Sequence, residues 1–226
     1  VLAGPVTIED MKIVDGVALQ GGGLLNDASG NVQLVRCKFD GNSAEFRPGT
    51  GPILGGALYN RGQMTVLRSE FTNNSAWSGS GGAITNENLA QITIEDSVIV
   101  GNSAGSGGGI ANAGSFTMRR STVSSNQALG SGGPAYGGGL LFTGPGGPSN
   151  LIENSTVSGN DAIGGNGGGI TNYFSSTLQV RNSTITANMA SLGGGVASPV
   201  TNISIQNTII ANNTAMIAAA TQRPGW

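Results

Sequence analysis

Carboxylates and guanidinium groups recur in this sequence at matching places of a repeated pattern: Glu95 and Asp96, then Arg119 and Arg120, with Arg36 and Arg68 upstream and Glu153 and Arg181 downstream. Gathered at one place, Arg68, Glu95, Asp96, Arg119 and Arg120 are what a lyase or hydrolase acting on an acidic polysaccharide needs: a base for the proton and cations for the uronate carboxylates. Set in alternation along a stack, the same residues neutralise one another and need no substrate. Residue types exclude other chemistries. The chain has no histidine, so no Ser-His or Cys-His dyad can form. Its only cysteine, Cys37, aligns with serines and reads as a buried thiol rather than a nucleophile. The segment GSGGGI (105–110) places Ile110 where a dinucleotide fingerprint needs its third glycine, and GGNGGG (164–169) lacks the aspartate of a calcium-binding nonapeptide. No catalytic residue, cofactor or metal ligand is expected.

Composition indicates what positions these groups. Forty glycines among 226 residues, with 10% charged and 5% aromatic side chains, describe a chain built from backbone and small side chains. The formal charge of −2 offers no clustered basic footprint for nucleic acid or an anionic membrane. No run approaches the roughly 18 consecutive apolar residues of a spanning helix, so no membrane insertion by this chain is expected. A single cysteine precludes an internal disulfide and is compatible with an exported bacterial protein. A start at Val1 without a leader reads as a processed or trimmed product.

The pattern itself is a repeat. GGGLLN (21–26), GGALYN (55–60), GGAITN (81–86), GGGIAN (107–112), GGGLLF (137–142), GGGITN (167–172) and GGGVAS (193–198) are seven versions of one motif. A second motif alternates with it: VTIEDMKIVDGVA (6–18), VQLVRCKFDGNSA (32–44), MTVLRSEFTNNSA (64–76), ITIEDSVIVGNSA (92–104), FTMRRSTVSSNQA (116–128), NLIENSTVSGNDA (150–162), LQVRNSTITANMA (178–190) and ISIQNTIIANNTA (203–215). All eight end in alanine: Ala18, Ala44, Ala76, Ala104, Ala128, Ala162, Ala190 and Ala215. The apolar positions recur with period two, as in Ile92/Ile94 and Leu178/Val180, which is the spacing of a strand with one face inward. Runs this short bury a core only by stacking on their neighbours. The expected fold is all-β, a right-handed parallel β-helix of about eight rungs with three short strands per rung, a single domain over 1–226 with 216–226 a short tail. At about 4.8 Å per rung the stack is on the order of 35–40 Å long.

The pairing of GGA[IL] (55–58, 81–84) with F-x-x-N, seen as FDGN (39–42) and FTNN (71–74), resembles the repeat of the chlamydial polymorphic outer membrane proteins and other bacterial surface β-helix proteins. The resemblance implies a pectate-lyase-like superfamily fold and a surface or secreted, commonly adhesive, protein. Later copies carry Val123, Val157 and Ile185 in place of the phenylalanine. The membrane barrel of that family has no counterpart in this sequence, so anchoring by autotransport is not expected.

In a stack, one alignment column is one line of side chains. Asn42, Asn74, Asn102, Asn126, Asn160, Asn188 and Asn213 form a column at a turn and are expected to make an internal amide ladder. Thr122, Thr156 and Thr184 line another column over three rungs, a partial version of an ice-binding array. Loops of variable length collect on one flank: 45–54, 77–80 and 129–136. Phe46, Arg47, Trp77 and Tyr136 in them are candidate contacts for a glycan or a neighbouring subunit. Neither end of the chain resembles a polar cap, and head-to-tail contacts that do not close generate filaments. The sequence therefore points to a non-enzymatic extracellular or cell-surface structural protein, bacterial in type, self-associating through its solenoid ends into a homo-oligomer or fibre. The alternatives are an adhesin or glycan-binding module and a polysaccharide lyase.

Overall fold

The computed structural model describes residues 5–45, 51–144, 150–173, 177–199 and 202–216. The described residues form short strands, and each pairs in parallel with the strand one rung away. The register is that of the sequence alignment. Phe39 pairs with Phe71, then Ile99, Val123, Val157 and Ile185 follow in one line.

Each complete rung holds four strands rather than the three expected. Rung four, for example, runs Gln91–Glu95, Val98–Val100, Ser103–Ser106, Ile110–Asn112. Three sheets have eight strands and the fourth, built on the glycine motif, has seven, giving seven complete turns and a partial eighth. The extra sheet consists mostly of two- to four-residue segments such as Ser43–Ala44 and Gln127–Ala128, which carry the alanine column. A sharp corner before each one separates it from the preceding strand. The column is alanine because the glycine tract crosses it backbone against backbone. A Cβ added to Gly82 would stand 2.1 Å from the Gly108 carbonyl oxygen and 2.7 Å from that of Ser103. The first glycine of each motif serves the turn instead, as at Gly107 with φ +61°.

Both strand-to-strand corners share one grammar. A residue in the left-handed region reverses the chain, and a buried polar residue follows it. At the first corner the pairs include Asp96-Ser97, Arg120-Ser121, Asn154-Ser155 and Asn182-Ser183; at the second, Gly41-Asn42, Asn73-Asn74, Gly101-Asn102 and Ser125-Asn126. Gly, Asn and Asp tolerate that backbone at least cost, which explains much of the residue choice. The buried residue then closes the corner. Each serine hydroxyl donates two residues back, as Ser121 Oγ to Arg119 O at 2.7 Å, and accepts an amide from the rung before, Ser97 N at 3.1 Å.

The amide ladder runs the length of the stack. Asn102 Nδ2 and Asn102 N both donate to Asn126 Oδ1, at 2.9 and 3.0 Å; Asn126 does the same to Asn160, and Asn160 to Asn188. A second ladder on the opposite side joins Asn26, Asn60, Asn86 and Asn112 through Nδ2-to-Oδ1 bonds of 2.7 Å. At rung five Phe142 occupies its column. Asn150, from the next strand, supplies the acceptor for Asn112 at 3.2 Å. Between the two ladders lies an apolar core of Leu58, Val66, Phe71, Ile94, Ile99, Ile110, Met118 and their column mates, all buried. Register makes the Phe39 and Phe71 rings stack, 4.8 Å apart with planes at 5°.

Replacing Asn126 by Ala removes the acceptor of the buried Asn102 backbone amide and a donor to Ile99 O. A loss of about 2–4 kcal/mol is expected in urea unfolding, from one orphaned amide plus a small void. Thr122→Ala on the outer face should stay within about 0.5 kcal/mol.

Candidate functional site

The charged residues collect beside the first corner. Arg120 Nε bonds Asp96 Oδ1 at 2.8 Å, and its Nη2 reaches Asp96 Oδ2 at 3.1 Å and Glu95 Oε2 at 2.7 Å. Arg36 repeats the arrangement three rungs earlier, on Asp10 (2.7 and 2.8 Å) and Glu9 (2.5 Å). Arg119 lies between Glu95, at 3.6 Å, and Glu153, at 3.1 Å. The hydrogen bond from Arg120 holds the Asp96 carboxyl below the usual carboxylate range, and Arg36 does the same for Asp10. Such forks are geometrically specific. Exposed pairs of this kind fix register more than they stabilise. Four of the five groups gathered in the sequence reading are thus committed to one another. The fifth, Arg68, forms no ion pair and no side-chain hydrogen bond among the described residues, and it holds the left-handed corner at φ 48° without the compensation that Arg36 and Arg120 have.

Cys37 is buried in the serine column. Its Sγ donates to Ile8 O at 3.3 Å, and its backbone amide donates to Ser69 Oγ at 3.0 Å. A longer contact to Val35 O, at 3.5 Å, matches the bond that each serine hydroxyl makes two residues back. The asparagines that the sequence placed in a ladder are in it, with their polar atoms turned to one another rather than to a ligand.

Two of the four loop residues fall among the described residues. Trp77 is 68% exposed on the third strand of rung three, and its carbonyl accepts a 2.8 Å bond from Ser131 Oγ. Tyr136 packs edge-on against Tyr173 with ring centroids 4.8 Å apart, and a hydrogen bond to Tyr173 raises its phenol pKa. Phe46 and Arg47 lie outside the described residues. Sequence reasoning missed the second amide ladder, whose asparagines stood within the glycine motif as its sixth residue in five of seven copies.

Parallel sheets in register, polar corners closed by ladders and a dry core between them define a right-handed parallel β-helix. The chain belongs to the β-helix family, whose description is "right handed beta helix region" and which matches residues 4–146. Searches of curated proteins and of solved structures find no match.

Arg68→Asn should raise stability by about 0.5–1 kcal/mol, because asparagine tolerates the left-handed backbone and the change removes no ion pair or hydrogen bond among the described residues, only a weak attraction to the Asp96 carboxylate. The shift in urea midpoint checks it. A destabilised variant would mean that the attraction between Arg68 and Asp96 outweighs the backbone strain.

Proposed function

We propose that this β-helix is a non-enzymatic structural subunit that works outside the cell and lengthens by end-to-end stacking into a filament or surface fibre. The observation that carries the reading is the contrast between inner and outer rungs. In the column Phe71, Ile99, Val123, Val157 and Ile185 every side chain is fully buried, yet its last member, Ile210, is 47% exposed, beside Ile205, Ile209 and Met216. At the other end Met11, Val14, Val17 and Leu25 are exposed, and among the described residues the strands Pro5–Glu9 and Lys12–Val14 pair on one side only. An apolar surface rimmed by unpaired strand edges binds another such surface. Gly16 stands in the asparagine column and offers no side-chain acceptor. The amide ladder would therefore break at a head-to-tail junction, leaving strand pairing and apolar burial to hold it.

Two further points support the non-enzymatic side of the proposal. Arg119 and Arg120, which lyase chemistry would need free for uronate, each already hold carboxylates. The extracellular assignment draws on the resemblance of the repeat to bacterial surface proteins and on the single cysteine.

The test is light scattering and negative-stain imaging over a concentration series. Rods that lengthen with concentration, and revert to monomers in an Ile209→Lys, Ile210→Glu double variant, are expected. A strictly monomeric chain at high concentration contradicts the proposal.

A further inference from the structure

One cleft is built by differences in rung length rather than by the repeat. Between the alanine column and the fourth sheet, rung four crosses with Gly105 alone, since Ala76 pairs with Ala104 and Ser80 with Ser106. Rung three spans the same gap with residues 77–79. Rung five uses 129–135 and returns to register at Tyr136, whose carbonyl accepts the Gly107 amide at 2.8 Å. The long segment of rung five arches over rung four and lands on rung three through the Ser131–Trp77 bond. The arch is anchored at its root by Leu129 N to Ala104 O and Gly130 N to Gly105 O, at 2.8 and 3.0 Å.

The space beneath has a volume of about 360 Å³, near the lower end of the roughly 300–1,000 Å³ of small-molecule sites. No charged residue lines it. Its side-chain hydroxyls are those of Ser78, Ser80, Ser106, Ser131 and Tyr136; the first three have no side-chain hydrogen-bond partner among the described residues, whereas Ser131 donates to Trp77 O and Tyr136 bonds Tyr173. Those three differ from the hydroxyls of the corner serines, which are spent inside the protein. Tyr136 adds an aromatic ring, steadied by Tyr173, and the exposed Trp77 immediately precedes Ser78, the first lining residue, in the chain.

Unspent hydroxyls, aromatic rings and a lack of charge suit a ligand that is itself ringed with hydroxyls, has apolar C–H faces and carries no charge. We infer that this cleft binds a neutral saccharide, one ring under the arch and a second against Trp77. The amphipathic aromatic groups take the sugar faces, and the serines exchange hydrogen bonds with its hydroxyls. The site is independent of the end faces, so saccharide binding and end-to-end assembly stand or fall separately.

Titration of the full chain with cellotriose, maltotriose and diacetylchitobiose by calorimetry, with galacturonate trimer as the charged comparator, tests the inference. Saturable binding of at least one neutral saccharide is expected, unchanged between low and high salt. It should weaken about tenfold in Trp77→Ala, the loss of one aromatic contact, be restored in Trp77→Phe, and be abolished by Ser106→Leu, which fills the floor. Because Trp77 is exposed, its removal leaves the fold intact, and circular dichroism of all three variants verifies that they are folded. No saturation with any neutral saccharide would overturn the inference, as would a preference for the uronate or affinity indifferent to both substitutions.

Discussion

Everything in this molecule rests on register. A rung has no interior of its own; it closes only when each column meets the same column on the next rung, because the buried amides and hydroxyls at the corners find their partners there. A slip of one residue would turn every side chain to the wrong face and separate asparagine from asparagine. The amide ladder fixes the register in a way that apolar packing cannot, since isoleucine, valine and phenylalanine replace one another freely along the core columns. Burying so many amides is tolerable only when all are satisfied, and the ladder satisfies each one through the next.

From this constraint follow the features that looked, in the sequence, like candidate chemistry. Glycine triplets mark where two backbones cross without room for a Cβ. Acidic residues and asparagines at the first corner are there for their left-handed backbone, and two of the three arginines among them, Arg36 and Arg120, are gripped by carboxylates on the neighbouring rung. Cysteine replaces serine at one corner because its thiol can contact the carbonyl two residues back, as the serine hydroxyls do. Freedom from the constraint exists only on the flank of variable loops, where rung four is short and rung five long. That is where a cleft opens.

The sequence makes the register legible to the residue, because eight aligned copies fix every column. Two things escaped it. The fourth strand was invisible because Ser-Ala and Gln-Ala carry no apolar alternation, so nothing distinguishes a paired two-residue strand from the end of the strand before it. The second ladder was hidden because one member is contributed by a residue outside the column: Phe142 stands in the motif and Asn150 makes the bond. The loops 77–80 and 129–136 were recognisable as insertions. That they enclose a space depends on Ser131 reaching residue 77, a contact between rungs that no spacing encodes.

The asparagine ladder, and not the strands alone, holds the rungs in place. Amide hydrogen exchange followed by NMR tests this most directly. The backbone amides of Asn74, Asn102, Asn126 and Asn160, which sit at corners and bond only to side-chain oxygens, should exchange only through global unfolding, as slowly as the core strands. Exchange of these four amides at rates typical of open turns would contradict it.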